Sequence, residues 1–154
     1  MATINRLFVA IAISLLGLCL FVGSAIAADT GDIVIRVTGL RNNNGAIRIA
    51  LFNSPKAYSA DKFSADTAFQ KLVVPVKNNE ATATIENIPY GDYAIKLFHD
   101  EDNSGRFITN AFGIPKVEYG FSNNAHGMFG PASYEKAKFK LQGKRLNMTI
   151  KIQG

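Results

Sequence analysis

Apolar and polar residues alternate with a period of two along much of this chain, beginning with Ile33, Ile35 and Val37 against Val34, Arg36 and Thr38. Successive side chains of a strand point to opposite faces, so the spacing assigns a buried side as well as a strand. Arg41-Asn42-Asn43-Asn44-Gly45 then supplies a turn able to accept positive φ, and the next strand places Ile47, Ile49 and Leu51 on one side. Asn53-Ser54-Pro55 reads as a helix start, with Ser54 as cap and Pro55 at the first helical position, which predicts a short helix or compact excursion over 55–69.

The alternation resumes with Leu72, Val74 and Val76 facing one way. Asn78-Asn79 turns the chain, and Ala83 and Ile85 face the core from the returning strand, a pattern that predicts a hairpin. Ile88-Pro89-Tyr90-Gly91-Asp92 makes the following corner, after which Tyr93, Ile95, Leu97 and His99 share an inward face. A last predicted pair sets Phe139 and Leu141 opposite Leu146, Met148, Ile150 and Ile152 across Gln142-Gly143-Lys144. Seven short strands with closely spaced turns and no sustained helical period predict an all-β fold. The expected form is an antiparallel, immunoglobulin-like or transthyretin-like β-sandwich with one short helix and one long loop.

The start of the chain breaks this pattern. Residues 1–27 hold one charged side chain, Arg6, then the apolar run Leu7 to Val22, then Gly23-Ser24-Ala25-Ile26-Ala27. A positive start, a short apolar middle and small residues at Ala25 and Ala27 are the parts of a signal peptide, cleaved between Ala27 and Ala28. The competing reading is an uncleaved anchor, since roughly 16 apolar residues approach the minimum span of about 17. The Ala-x-Ala site favours cleavage, leaving 28–154 as one domain with no further membrane span. Cys19 follows the bulky Leu18, which argues against a lipoprotein, and it departs with the signal. A thiol-free remainder suits a bacterial periplasmic or secreted domain stabilised by its core.

Without Arg6 the chain carries 16 basic and 12 acidic residues, a mild +4. Six of the basic groups, Lys136, Lys138, Lys140, Lys144, Arg145 and Lys151, fall among the last two predicted strands and alternate with apolar residues there. That is a solvated strand face, and nucleic acid is not expected as a partner.

From Asp100 to Ser133 no strand-length alternation survives, yet the segment and the residue that follows it hold six aromatics: Phe107, Phe112, Tyr119, Phe121, Phe129 and Tyr134. Loops of this length in a compact domain are usually functional or disordered. This one is too aromatic for a solvated linker, so it is expected to fold back over the sandwich. The His99-Asp100-x-Asp102-x-Ser104-Gly105 stretch, then Asn110, Gly113-Ile114-Pro115 and residues 119–125 (Tyr-Gly-Phe-Ser-Asn-Asn-Ala), resembles the bacterial exported family called domain of unknown function 2141. The likeness extends to Val37-Thr38-Gly39-Leu40 and to the corner Asn87-Ile88-Pro89-x-Gly91-x-Tyr93. It implies export and a small β-rich domain and carries no established activity. His126-Gly127 departs from the family's expected Arg-Gly, so no role for His126 is carried over.

Three constellations are candidate sites. Asp100, Asp102 and Ser104 stand at positions 1, 3 and 5 of a calcium-loop-like pattern with Gly105 at 6, but Ala111 replaces the bidentate Glu at 12. Asn110 is the substitute ligand in a Ca²⁺ site, and the alternative is a plain acidic turn. Tyr119, Phe121, Asn123, Asn124 and His126 offer amide donors and acceptors beside aromatic faces, as in a sugar- or peptide-binding surface; the alternative is that they cap loop backbone and core. His99 is expected inward at the rim of the core, satisfying a backbone group. Catalytic signatures are poor: no Gly-x-Ser-x-Gly elbow, phosphate loop or His-Glu-x-x-His helix occurs. The leading expectation is therefore a non-enzymatic module that binds a protein or carbohydrate of the cell envelope. The alternative is a metal-dependent hydrolase using His99, Asp100 and His126, which requires those groups to converge.

Overall fold

The computed structural model describes residues 29–60, 65–128 and 130–154. The expected signal peptide and its cleavage site lie outside the described residues, as do Cys19 and Phe129. The described residues form eight strands: β1 (Thr30–Thr38), β2 (Ala46–Phe52), β3 (Gln70–Pro75), β4 (Ala81–Pro89), β5 (Gly91–Asp100), β6 (Tyr119–Phe121), β7 (Phe139–Leu141) and β8 (Arg145–Lys151). Two short helices accompany them, α1 (Pro55–Ser59) and α2 (Tyr134–Ala137). No described helix is long and apolar enough to cross a membrane.

The architecture is the expected two-sheet β-sandwich. One sheet has the order β4-β1-β8; the other runs β3-β2-β5-β6, with β7 also paired to β5. Ile33, Ile35, Val37, Ile85 and Ile150 meet Ile47, Ile49, Leu51, Val74, Ile95 and Leu97 in one buried cluster, so the alternating apolar positions do face each other between the sheets. Ser54 caps α1 as expected, its Oγ accepting from the Ala57 amide at 3.3 Å with Pro55 following. The corner before β5 is held by the Tyr93 hydroxyl, which donates to the Pro89 carbonyl at 2.8 Å, an arrangement akin to the tyrosine corner of immunoglobulin-like sandwiches.

Several pairings differ from expectation. Asn78 and Asn79, both with positive φ, make a tight turn whose flanking Lys77 and Glu80 exchange backbone hydrogen bonds. Beyond that bridge the chain changes sheet: β3 pairs with β2 and β4 with β1, so the predicted hairpin is a crossover between layers. The last two strands likewise do not pair with each other. β7 lies against β5 while β8 runs parallel to β1, the exception among otherwise antiparallel pairs. The reason is common to both: alternation fixes which side of a strand is buried, and a side buried between two sheets reads the same whichever sheet the strand joins. The eighth strand, β6, and the helix α2 lie in and just after the stretch expected to be loop, too short to show a period.

A smaller buried cluster lies on the outer face of the larger sheet. There Phe52, Ala94 and Phe121 pack under Tyr58 of α1 and Tyr134 and Ala137 of α2. The aromatic connection thus does fold back, covering one part of that face, and the described residues leave the rest open.

Candidate functional site

The open part of the outer face is a groove of about 590 Å³. Sheet register builds its floor. Val73, Arg48, Phe98 and Tyr119 lie side by side across β3, β2, β5 and β6, and Lys71, Ala50, Lys96 and Phe121 form the next row. Phe107, from the connection after β5, closes the wall. Its ring lies edge-on to Phe98 at 5.4 Å and to Tyr119 at 6.1 Å, and Tyr119 in turn meets Phe121 at 5.8 Å. Among the described residues the lining carries Arg48, Lys71, Lys96 and Arg106 against one carboxylate, Asp66. Lys96 is directed to the covered end, donating to the Tyr58 carbonyl at 2.6 Å and lying over the Phe52 and Tyr58 rings. Lys71 and Arg106 are exposed. A concave surface with low-dielectric walls focuses such a positive field outward.

Of the residues singled out for binding, Tyr119 and Phe121 line this groove. The two asparagines do not. Asn123 Nδ2 donates to the Lys138 carbonyl at 2.7 Å, and Asn124 Oδ1 accepts from the Lys151 amide at 2.7 Å, so both tie the single 3₁₀ turn Ser122–Asn124 to neighbouring segments. Their positive φ, 59° and 49°, suits asparagine. His126 is exposed, and its carbonyl accepts from Lys136 Nζ at 3.4 Å.

The acidic turn has a different role from the one its spacing suggests. The Asp100 side chain is only 1% exposed, and its oxygens are already taken. One accepts from the Ser104 amide at 3.0 Å and from its hydroxyl, the other from the Gly105 amide at 2.9 Å and from Arg48 Nε. Burial pushes the Asp100 carboxyl up, but the Arg48 bond and the Gly105 amide outweigh it and hold it below the usual carboxylate range. Asp102 Oδ1 accepts from the Ser104 amide at 3.2 Å, and Asn110 Oδ1 from the Phe112 and Ile114 amides at 2.9 and 3.0 Å. A calcium ion held by Asp100, Asp102, Ser104 and Asn110 would have to displace these donors, including a guanidinium. The geometry favours the turn.

His99, fully buried, faces the opposite side of β5 from Asp100, as alternation requires. Its Nε2 lies 2.7 Å from the Asn44 carbonyl and its Nδ1 3.0 Å from Glu118 Oε2. Together with Glu101 these side chains form a group with metal-ligand chemistry. Arg41 already serves as its cation, with Nε 3.1 Å from Glu118 and 3.6 Å from Glu101. Burial raises the Glu118 carboxyl, and His99 and Arg41 more than reverse that, leaving it below its ordinary value. Sequence reasoning placed His99 correctly on a backbone group but missed Glu118, whose position beside it follows from β5–β6 register alone.

The hydrolase constellation does not form. His99 is at the end of β5, whereas Lys136, which holds the His126 carbonyl, is on α2, whose Tyr134 hydroxyl reaches the Asp92 carbonyl at 3.2 Å near the strand's start. His99 is fully buried, Asp100 faces the other side of β5, and His126 is exposed, so the three side chains do not converge on one pocket. Ser122 Oγ is engaged as well, donating to the Ala137 carbonyl while accepting from the Ile95 amide.

No curated protein and no solved structure matches the chain. Residues 35–149 match the family model described as an uncharacterized protein conserved in bacteria. That stretch runs from β1 into β8 and takes in the groove, the acidic turn and the His99–Glu118 pair, and the chain accordingly belongs to the DUF2141 family.

Proposed function

We propose that this protein is an exported, non-enzymatic binding module, periplasmic or secreted, whose outer-face groove holds an acidic carbohydrate of the bacterial envelope. The observation that carries the reading is the cluster of rings Phe98, Phe107 and Tyr119 lining the same groove as the exposed cations Lys71 and Arg106. Aromatic faces cover the apolar C–H faces of sugar rings, and Lys and Arg pair with carboxylate or phosphate substituents. The groove volume lies within the ordinary range for small-ligand sites. A binding role without chemistry also suits the surroundings: Asp100, Glu118 and Ser122 are committed to internal bonds.

Calorimetric titration of the chain from Ala28 onward tests this, because that portion contains both hydrophobic clusters whole. Oligosaccharides bearing uronic acids are expected to bind, and neutral ones of equal length to bind more weakly. Lys71→Glu, an exposed change, is expected to weaken binding by about tenfold, the scale of one lost charge-assisted contact. Tyr119→Ala removes a stacking face and lowers affinity for both ligand types. Failure of every acidic oligosaccharide to bind, or indifference to Lys71→Glu, would defeat the carbohydrate reading.

A further inference from the structure

Phe112 is 89% exposed and Ile114 58%, although the other described aromatics of the long connection pack against the sheet. They sit at the tip of a small hairpin closed by a bridge between Thr109 and Pro115. The Asn110 amide donates to the Ile114 carbonyl at 2.8 Å, Gly113 to Asn110 at 2.9 Å and Lys116 to Ile108 at 2.8 Å, while Asn110 Oδ1 takes the Phe112 and Ile114 amides. Pro115 has no N–H to place. Every backbone donor from residue 112 to 116 is therefore satisfied within the hairpin. Pairing these donors lowers the cost of bringing the tip toward hydrocarbon.

The nearest charged residues along the chain on either side of the tip are cations. Residues 103–117 contain Arg106 and Lys116, both exposed, and no Asp or Glu. Two exposed apolar side chains on a turn flanked by two cations match the layering of an anionic bilayer surface, with apolar groups at the acyl boundary and cations at the phosphates.

We infer that the 109–115 hairpin docks the protein onto anionic phospholipid, with Phe112 and Ile114 entering the headgroup–acyl boundary and Arg106 and Lys116 pairing with lipid phosphates. The inference shares Arg106 with the carbohydrate reading but rests on Phe112 and Ile114, which lie outside the groove lining, so the vesicle test and the oligosaccharide test can fail separately. Arg106 and Phe107 also line the groove, so docking would hold its mouth close to the lipid surface.

The chain has no tryptophan, so Phe112→Trp introduces a single reporter. In the chain from Ala28 onward its fluorescence is expected to shift to the blue on adding phosphatidylglycerol vesicles, to remain unshifted with phosphatidylcholine, and to recover in high salt. In co-sedimentation, the double variant Phe112→Ser, Ile114→Ser is expected to bind phosphatidylglycerol vesicles about tenfold or more weakly, as loss of two inserted apolar groups requires. Both positions are exposed, so the fold should survive, and an unchanged melting temperature checks this. A tryptophan that stays in water, equal binding to both lipids, or a vesicle-independent blue shift that grows with protein concentration would overturn the inference. The last result would instead mark a contact between copies of the chain.

Discussion

Asp100 shows how one side chain can carry a loop. Its carboxylate gathers Arg48 from β2 and the Ser104 and Gly105 amides from the turn after β5, so sheet and connection share an anchor. Gly45 permits the neighbouring close approach: its φ is +63°, and a Cβ there would run into the Asp100 carbonyl. Asp100 and Glu118 both have carboxyls held below their ordinary values in the fold. Each contributes stability that is complete above the unfolded carboxylate value of about 4 and is lost as pH falls through the lower folded value. The melting temperature should stay level between about pH 7 and 5 and drop below about 4. Asp100→Asn should flatten that acid limb and cost about 2–3 kcal/mol at neutral pH, since it leaves a partly buried Arg48 without its anion. Thermal melts across pH measure both, and melts of the parent with millimolar calcium are expected to coincide with those without.

At the level of elements, β5 organises the molecule. Its outer edge is shared: β7 pairs with Gly91–Tyr93 and β6 with Lys96–Phe98, which leaves the Ile95 amide in the gap between two partners. Ser122 Oγ fills that gap and donates onward to the Ala137 carbonyl at the end of α2. Ser122→Ala strands one buried donor and one acceptor, and a loss of about 1–3 kcal/mol should follow. Hydrogen exchange at Ile95 should accelerate well beyond that at Leu97, whose residue pairs within the β5–β6 ladder. The inward faces of β1, β2, β3 and β5 were legible because burial against one core imposes a strict period. Partners were not, since Val74 and Ile85 enter the same core from different sheets and carry the same signature. Tyr119 and Phe121, singled out on the sequence as candidates, do line the groove. Lys71, Arg48 and Phe98 were not legible, because on the sequence they are merely the outward members of alternating strands, and only register sets them side by side.

For the whole molecule, the groove exists because its covering is partial. The connection after β5 and the two short helices roof one end of the larger sheet with Tyr58, Tyr134 and Ala137, and among the described residues nothing roofs the remaining outward positions of β3, β2, β5 and β6. What keeps that edge in place is a junction between the sheets. Just beyond β8, Tyr119 and Gln153 exchange backbone hydrogen bonds at 2.8 Å in both directions, while the Ile152 amide donates to the Thr38 carbonyl at 2.9 Å. The strand that follows β1 in parallel thus ends by pairing with β6, and the smaller sheet holds the aromatic wall of the groove from behind. Gln153→Pro removes one of those donors while leaving both cores untouched, since the glutamine is only half-buried. It should cost about 1–2 kcal/mol, the scale of a lost backbone hydrogen bond. If the junction positions the wall, amide exchange should quicken at Tyr119 and Phe121 while Ile35 and Ile49 keep their protection, and groove affinity should fall more than the change in melting temperature accounts for. Uniform exchange across both sheets would instead make the junction a contributor to global stability alone.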